Sequence, residues 1–493
     1  MKITKYSFLA LIVALFLSAC EKEFLDTFPT TAVAATDALA STQNAYAALN
    51  GMHRIMYTQY DAQGQAGEGS VNIFRDLMGE DIVYPLASGS TGLIGFMRWQ
   101  THRNVNDGFL RFVYRFYYRL ISNANVLING IDATPGPEAD RKIIKGQALA
   151  YRAWAHFQLV QLWGKRYNAG APNSQEGVPL LLTNTLEGQA RTSVEEVYTQ
   201  INKDLDEAIT LLAGYTRAGT AAKSNINVNV AQGFKARVAL TQQNWAAAAT
   251  AAAAARQGVA LMDTTAYVAG FNSVNNPEWI WGSRQIDDHN TFFWSYFAYI
   301  SANFNSTVLR TQPRAINATL WEAIPASDVR KKMWDRTGAT VPVPPGGARV
   351  PYQNKKFLSQ SSSSSVGDVP LMRAAEMYLI EAEAKARSGD NAGAQAALFA
   401  LVKVRDRRAV QSTNTGQALI DEIMFNRRIE LWGEGFRFTD LKRLNLPLNR
   451  NGIPNHLTAL VTVRDIPAGD PQWEWLFPQD EMNTNKAIVQ NPL

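Results

Sequence analysis

Cysteine occurs once among 493 residues, at position 20. That excludes a disulfide framework and any metal site built on paired thiolates. Histidine is almost as scarce. The five copies, at 53, 102, 156, 289 and 456, form no HExxH or other close ligand spacing, which argues against a zinc hydrolase. His156, in a helical stretch between Trp154 and Leu159, is expected as a core histidine. No GxxxxGKS or GxxxxGKT loop is present to cradle nucleotide phosphates, and no GxSxG turn to raise a serine nucleophile. Charge of one sign is also in short supply. The net +5 falls to +3 without Lys2 and Lys5 (5 − 2 = 3), too small and scattered an excess for nucleic acid. Carboxylates such as Glu68, Asp76, Asp81, Asp287 and Asp288 are plentiful, but no pairing of them is legible. The chain is expected to be no enzyme, and to hold no metal or cofactor.

Beyond the first twenty residues no apolar run approaches membrane-spanning length. Those twenty do have a recognisable layout. Lys2 and Lys5 precede the apolar Tyr6 to Leu17, and Leu17-Ser18-Ala19 supplies small residues before Cys20. Leu-Ser-Ala-Cys resembles the bacterial lipobox, in which the cysteine is acylated and becomes the new N-terminus. Residues 1–19 are expected to be removed, leaving 474 (493 − 19 = 474), with 20–36 as a lipidated tether. Each buried methylene of such a lipid contributes about 0.8 kcal/mol, so several acyl chains anchor a soluble domain firmly. The acidic Glu21, Glu23 and Asp26 resemble the signals that follow the cysteine in surface-exposed lipoproteins.

What the chain has in abundance is aromatic residues: 12 Trp, 17 Tyr and 22 Phe. They fall within helical and irregular stretches in turn. A helical pattern begins at Asp37, and the next, FLRFVYRFYYRLISNANVLI (109–128), carries aromatics nearly all round and reads as deeply buried. Residues 139–164 form another helix, and Ser193 with Glu196 makes a capping box ahead of an apolar stripe to Leu212. Residues 227–255 read as two helices broken near Gln242 to Asn244. Residues 371–408 repeat the plan around Ser388-Gly389-Asp390, with Ala382, Ala386, Ala394 and Ala397 small enough for close approach. The spacing resembles tetratricopeptide hairpins. The run NRRIELWGEGFRFTDLKR (426–443) is read as a helix end locked by arginine–carboxylate bonds. The fold class is therefore mainly α, with tetratricopeptide-like helical hairpins as a scaffold and a large irregular aromatic-rich region for ligand. The helical regions are 37–261, interrupted by an irregular segment at 52–106, and 371–493. The irregular insertion 262–370 separates them, and long stretches of this kind are commonly functional.

Several segments together identify a resemblance. Cys20 with FLDTFPT, GQALAYRAWAHFQLVQLWG, GVPLLLTN, RTSVEEVYTQINKDLDEAI, AEMYLIEAEAKARSGDNAGA, NRRIELWGEGFRFTDLKR and LFPQDEMNTNKAIVQNP occur in one order along nearly the whole mature chain. The ordered set resembles the SusD/RagB family of outer-membrane nutrient-binding lipoproteins. Two departures stand out. Asn426 occupies the usual place of Glu before the Arg pair, and the tail ends QNPL without the usual Gly-Tyr. The resemblance implies a cell-surface lipoprotein, lipid-anchored in the outer membrane. It would bind oligosaccharides or polysaccharides and deliver them to a SusC-like TonB-dependent transporter. A peptide-binding RagB-like protein with the same partner is the alternative. Sugar rings are desolvated by flat aromatics while polar side chains hold the edge hydroxyls. The expected contacts are thus Tyr84 beside Asp81, Trp99 beside Arg98 and Asn104, and Trp294 with Tyr296 after Asp287, Asp288 and Asn290.

Overall fold

The computed structural model describes residues 35–86, 92–285 and 295–493. Cys20, Asp287, Asp288, Asn290 and Trp294 lie outside the described residues. The architecture is mainly α. Helix α1 (Thr42–Ile55) and α2 (Gly67–Leu77) precede the long α3 (Gly108–Gly130) and α4 (Glu138–Trp163), which pack together. α5 (Val194–Leu211) lies along α4, and both bonds of the Ser193–Glu196 capping box form at its start. Two helical pairs follow: α6 (Val228–Thr241) with α7 (Trp245–Ala255), and α8 (Ala374–Arg387) with α9 (Asn391–Arg405). Beyond them come α10 (Gly416–Glu430) and α11 (Arg437–Arg443).

The two pairs turn by the same chemistry. Gln243 at φ 60° and Gly389 at φ 90° reverse the chain in the left-handed region. Asn244 and Asp390 then cap the second helix by accepting from Ala247 N and Gly393 N. Ala382, Ala386, Ala394 and Ala397 are all buried where α8 meets α9, so the small residues do permit the close approach.

The segment 52–106 is less irregular than its glycines suggest. It contains α2, all eleven residues of which are buried. Here glycine serves close approach rather than a loose loop. A Cβ at Gly67 (φ +55°) would sit 2.0 Å from Met56 O. The insertion 262–370 keeps little helix, and it is held at both ends. Strand β2 (Trp279–Ser283) pairs antiparallel with β6 (Val369–Arg373). Between them, β3 (Ala315–Ile316), β4 (Trp334–Asp335) and β5 (Gln353–Asn354) join β1 (Ile82–Val83) in the antiparallel order β1-β3-β5-β4. The two irregular segments thus share one sheet.

The aromatics chiefly build core. Ten of the twelve tryptophans are buried; Trp245 is half-buried beneath Arg387, and Trp294 is not described. One continuous apolar cluster runs from Ala45 to Ile488. Inside it lies a charged network. Arg373 contacts Glu430 at 3.0 Å and Glu434 at 2.6 Å, and Arg405 reaches Glu278 at 2.6 Å and Glu430 at 3.1 Å. Lys356 meets Glu434 at 2.6 Å, and Arg330 meets Asp328 at 2.7 Å. Asn426 accepts from Arg330 at 2.7 Å, so the amide at this position serves the same network. Burial alone would raise the Glu430 carboxyl, but Arg405, Arg373 and Arg330 reverse that and hold it well below its usual range. The network bears out the arginine–carboxylate reading of 426–443.

Four histidines, His156 among them, are buried and neutral. Burial lowers His53, His102 and His156 from 6.5 to about 3, and His456 to about 4. The unfolded chain binds protons at these sites below 6.5 whereas the folded chain does not, so acid favours unfolding. The denaturation midpoint is therefore expected to fall steadily from about pH 6.5 towards pH 4. A chemical-denaturation series across that window checks this, and a flat profile contradicts the neutral burial.

Candidate functional site

The structure corrects most of the expected ligand contacts. Trp99 is 2% exposed, its indole Nε1 donates to Met78 O at 2.9 Å, and Trp473 meets its ring edge-on at 4.7 Å. Tyr84 is fully buried, with Arg314 over its ring at 4.2 Å and its hydroxyl donating to Gly92 O. Tyr296 is 2% exposed and donates to Gly433 O at 2.7 Å. Asp81 is buried and accepts from Arg428 Nε at 3.0 Å. None of these presents a face to solvent, because each has already found its partner within the protein. Arg98 is half-buried and donates to Leu460 O at 2.7 Å; Asn104 is exposed, and its side chain accepts from Asn106 N in its own turn. The Tyr84–Asp81 and Trp99–Arg98–Asn104 groups therefore form no open aromatic platform. Cys20 and Trp294 lie outside the described residues.

Another surface gathers aromatic and polar side chains around open clefts. Arg111, Arg115 and Arg119 recur every four residues on α3, with Tyr114 and Tyr118 interleaved. Against this side lie the loop 179–189 and the tail 478–485, enclosing a cleft of about 630 Å³. Asp480 joins the two walls, accepting from Arg115 at 3.0 Å and Arg111 at 3.5 Å. Gln189, Glu481 and Asn485 add polar groups to the rim. A second cleft, of about 660 Å³, opens between α1 and α3. Tyr60 and Arg119 line both clefts, so the two meet there.

Tyr60 is presented by a turn that the sequence builds tightly. Gln59 bridges to Ala66, and Tyr60 N donates to Gln65 O at 2.9 Å. The Gln65 side chain then accepts from Asp61 N and Ala62 N. A Cβ at Gly64 would lie 3.1 Å from the Tyr299 ring, which seats this turn on the insertion. The Tyr60 ring rests on Phe112 at 5.0 Å, and the Arg119 guanidinium stands 5.7 Å from its centre. Burial raises the Tyr60 phenol, with Arg119 opposing; burial likewise raises Tyr57, against Arg54 and Arg284. Both stay neutral hydroxyls at physiological pH, able to donate and accept. Among the described residues no group of three His, Cys, Asp or Glu side chains is placed to hold a metal ion.

Residues 272–493 match the SusD family, and residues 25–240 match the family described as starch-binding associating with outer membrane. The chain belongs to the SusD-like family. Its relatives include the SusD-like protein P38 of Formosa agariphila, 25% identical over 395 residues, covering 69% of this chain and 74% of the relative. A SusD-like carbohydrate binding protein from Bacteroides vulgatus superposes with a TM-score of 0.79 at 27% identity, covering 91% of this chain and 98% of that one. A SusD superfamily protein from Bacteroides thetaiotaomicron shares the fold at a TM-score of 0.78 and 22% identity, covering 92% and 100%.

In this SusD-like chain the sequence signal for the cleft was available but pointed inward. Aromatics all round α3 suggest burial on every side, yet the Arg111-Arg115-Arg119 ladder marks one side as solvent-facing. Tyr57 and Tyr60 lie within the irregular segment 52–106, ahead of its glycines. The separation of Tyr60 from Arg119 by some sixty positions hides the contact between them. The core role of Trp99 is directly testable. Trp99→Ala is expected to cost about 3–5 kcal/mol of stability, read by denaturant unfolding. Stability unchanged from wild type contradicts its placement in the core.

Proposed function

We propose that this chain is a cell-surface lipoprotein of the outer membrane, acylated at Cys20. It binds oligosaccharides or polysaccharides and passes them to a SusC-like TonB-dependent transporter. The observation that carries the reading is the SusD-like scaffold itself. It spans the described chain and aligns along nearly its whole length with a carbohydrate binding protein. The absence among the described residues of a helix long and apolar enough to cross a membrane is consistent with attachment through lipid.

The paired clefts supply chemistry suited to sugars. The half-buried Tyr60 and Tyr118 line the first cleft with ring surface, and Arg115, Gln189 and Asn485 offer edge contacts. Clefts of this volume lie within the range of small-ligand sites. No covalent step is needed: the protein captures and hands over.

The test is retention of the lipid-free protein, from Glu21 onward, on matched panels of polysaccharides and peptides, with Tyr60→Ala alongside. Selective retention on a polysaccharide, weakened in the folded variant, is the expected result. Retention on peptides alone replaces the glycan reading with the peptide one. In the full chain, Cys20→Ala is expected to abolish fatty-acid labelling, and labelling that persists contradicts acylation at this residue.

A further inference from the structure

The second cleft differs from the first in its charge. Asp61, Glu187, Asp480 and Glu481 line the first beside its arginines. The second has a floor of Ala47, Ala48 and Gly51 from α1, and among the described residues that line it the charged ones are Arg54 and Arg119. No carboxylate of the described residues lines it. Both arginines are exposed, and neither forms an ion pair among the described residues. Arg111 and Arg115, on the same helix as Arg119, share Asp480. Arg119 instead stands beside the neutral Tyr60 ring.

Arginine carries N–H donors in a planar fork and no acceptor. A neutral sugar offers hydroxyls that must donate as well as accept, so two guanidinium groups with no carboxylate partner among the described residues, on an alanine floor, match it poorly. A carboxylate or a sulfate ester accepts without donating and fits the fork with paired bonds. Extending the capture reading above, on which it rests, we propose that the cleft between α1 and α3 selects glycans bearing such anionic groups. Arg54 and Arg119 hold the anion while Tyr60 covers the adjoining ring. The polar Thr58, Gln59 and Asn123 on the same rim remain for neutral hydroxyls.

The experiment compares three polysaccharides by affinity electrophoresis of the lipid-free protein at low and high salt. They are a neutral glucan, a polyuronate and a sulfated galactan. Arg54→Gln, Arg119→Gln and a surface control distant in sequence, Arg407→Gln, are run beside the wild type. The expected result is preference for one or both anionic polymers, weakened by salt. Each cleft substitution should lower that affinity about tenfold, the effect of losing one charge-assisted hydrogen bond, while Arg407→Gln leaves it unchanged. The polyuronate and sulfated arms show which anion is preferred. Equal retention of the neutral glucan, indifferent to Arg54 and Arg119, overturns the anionic assignment and leaves glycan capture standing. An equal loss in Arg407→Gln also overturns it, because attraction is then spread over the surface. Retention of none of the polysaccharides by the folded protein contradicts the capture reading itself.

Discussion

The buried charge network around Glu430 is the constraint on which the rest of the structure depends. Four cations, Arg330, Lys356, Arg373 and Arg405, meet four carboxylates, Glu278, Asp328, Glu430 and Glu434, away from water. Removing one ion from water costs several kcal/mol, so each group is tolerable only with its partners in place. Those partners come from different parts of the chain. Arg373 ends β6 and Arg405 ends α9; Glu430 ends α10, while Glu278 immediately precedes β2. The irregular insertion therefore cannot leave the helical scaffold without exposing an unpaired charge to the core. This is how a segment with little regular structure of its own acquires a defined position.

The constraint reaches the clefts through a short series of contacts. Glu434 follows Gly433, whose carbonyl accepts the Tyr296 hydroxyl at 2.7 Å. Tyr296 leads into a single helical turn, Phe297–Ile300, that carries Tyr299. Tyr299 lies against Gly64, in the turn that presents Tyr60. Core charge, insertion and cleft rim are thus mechanically continuous. The abundance of aromatics belongs mostly to the first two. Tryptophan fills the interior, and tyrosine with arginine forms the rim.

The parts of this arrangement that depend on near neighbours were legible in the sequence. The Ser193 capping box, the hairpin turns at Gln243 and Gly389, and the alanines between α8 and α9 all act within a few residues of themselves. The locked helix end at 426–443 was also legible, since Arg427 and Asp440 lie close in sequence and meet at 2.7 Å. The partners of Glu430 were not, because Arg330 and Arg373 approach only after the insertion folds back. The candidate site failed for the same reason. A Trp or Tyr in polar, nonhelical sequence looks available, but Trp99 is surrounded by Phe438 and Trp473, more than three hundred positions away. Local polarity says nothing of such covering.

The most direct test of this account is native-state hydrogen exchange on Arg373→Met, under conditions where the variant retains its helical circular dichroism. The account predicts loss of backbone protection in the insertion at 295–305 and, together with it, in the Tyr60 turn at 57–66. Loss confined to β2 and β6, with the Tyr60 turn as protected as in the wild type, contradicts the claim that the buried charges hold the cleft rim in place.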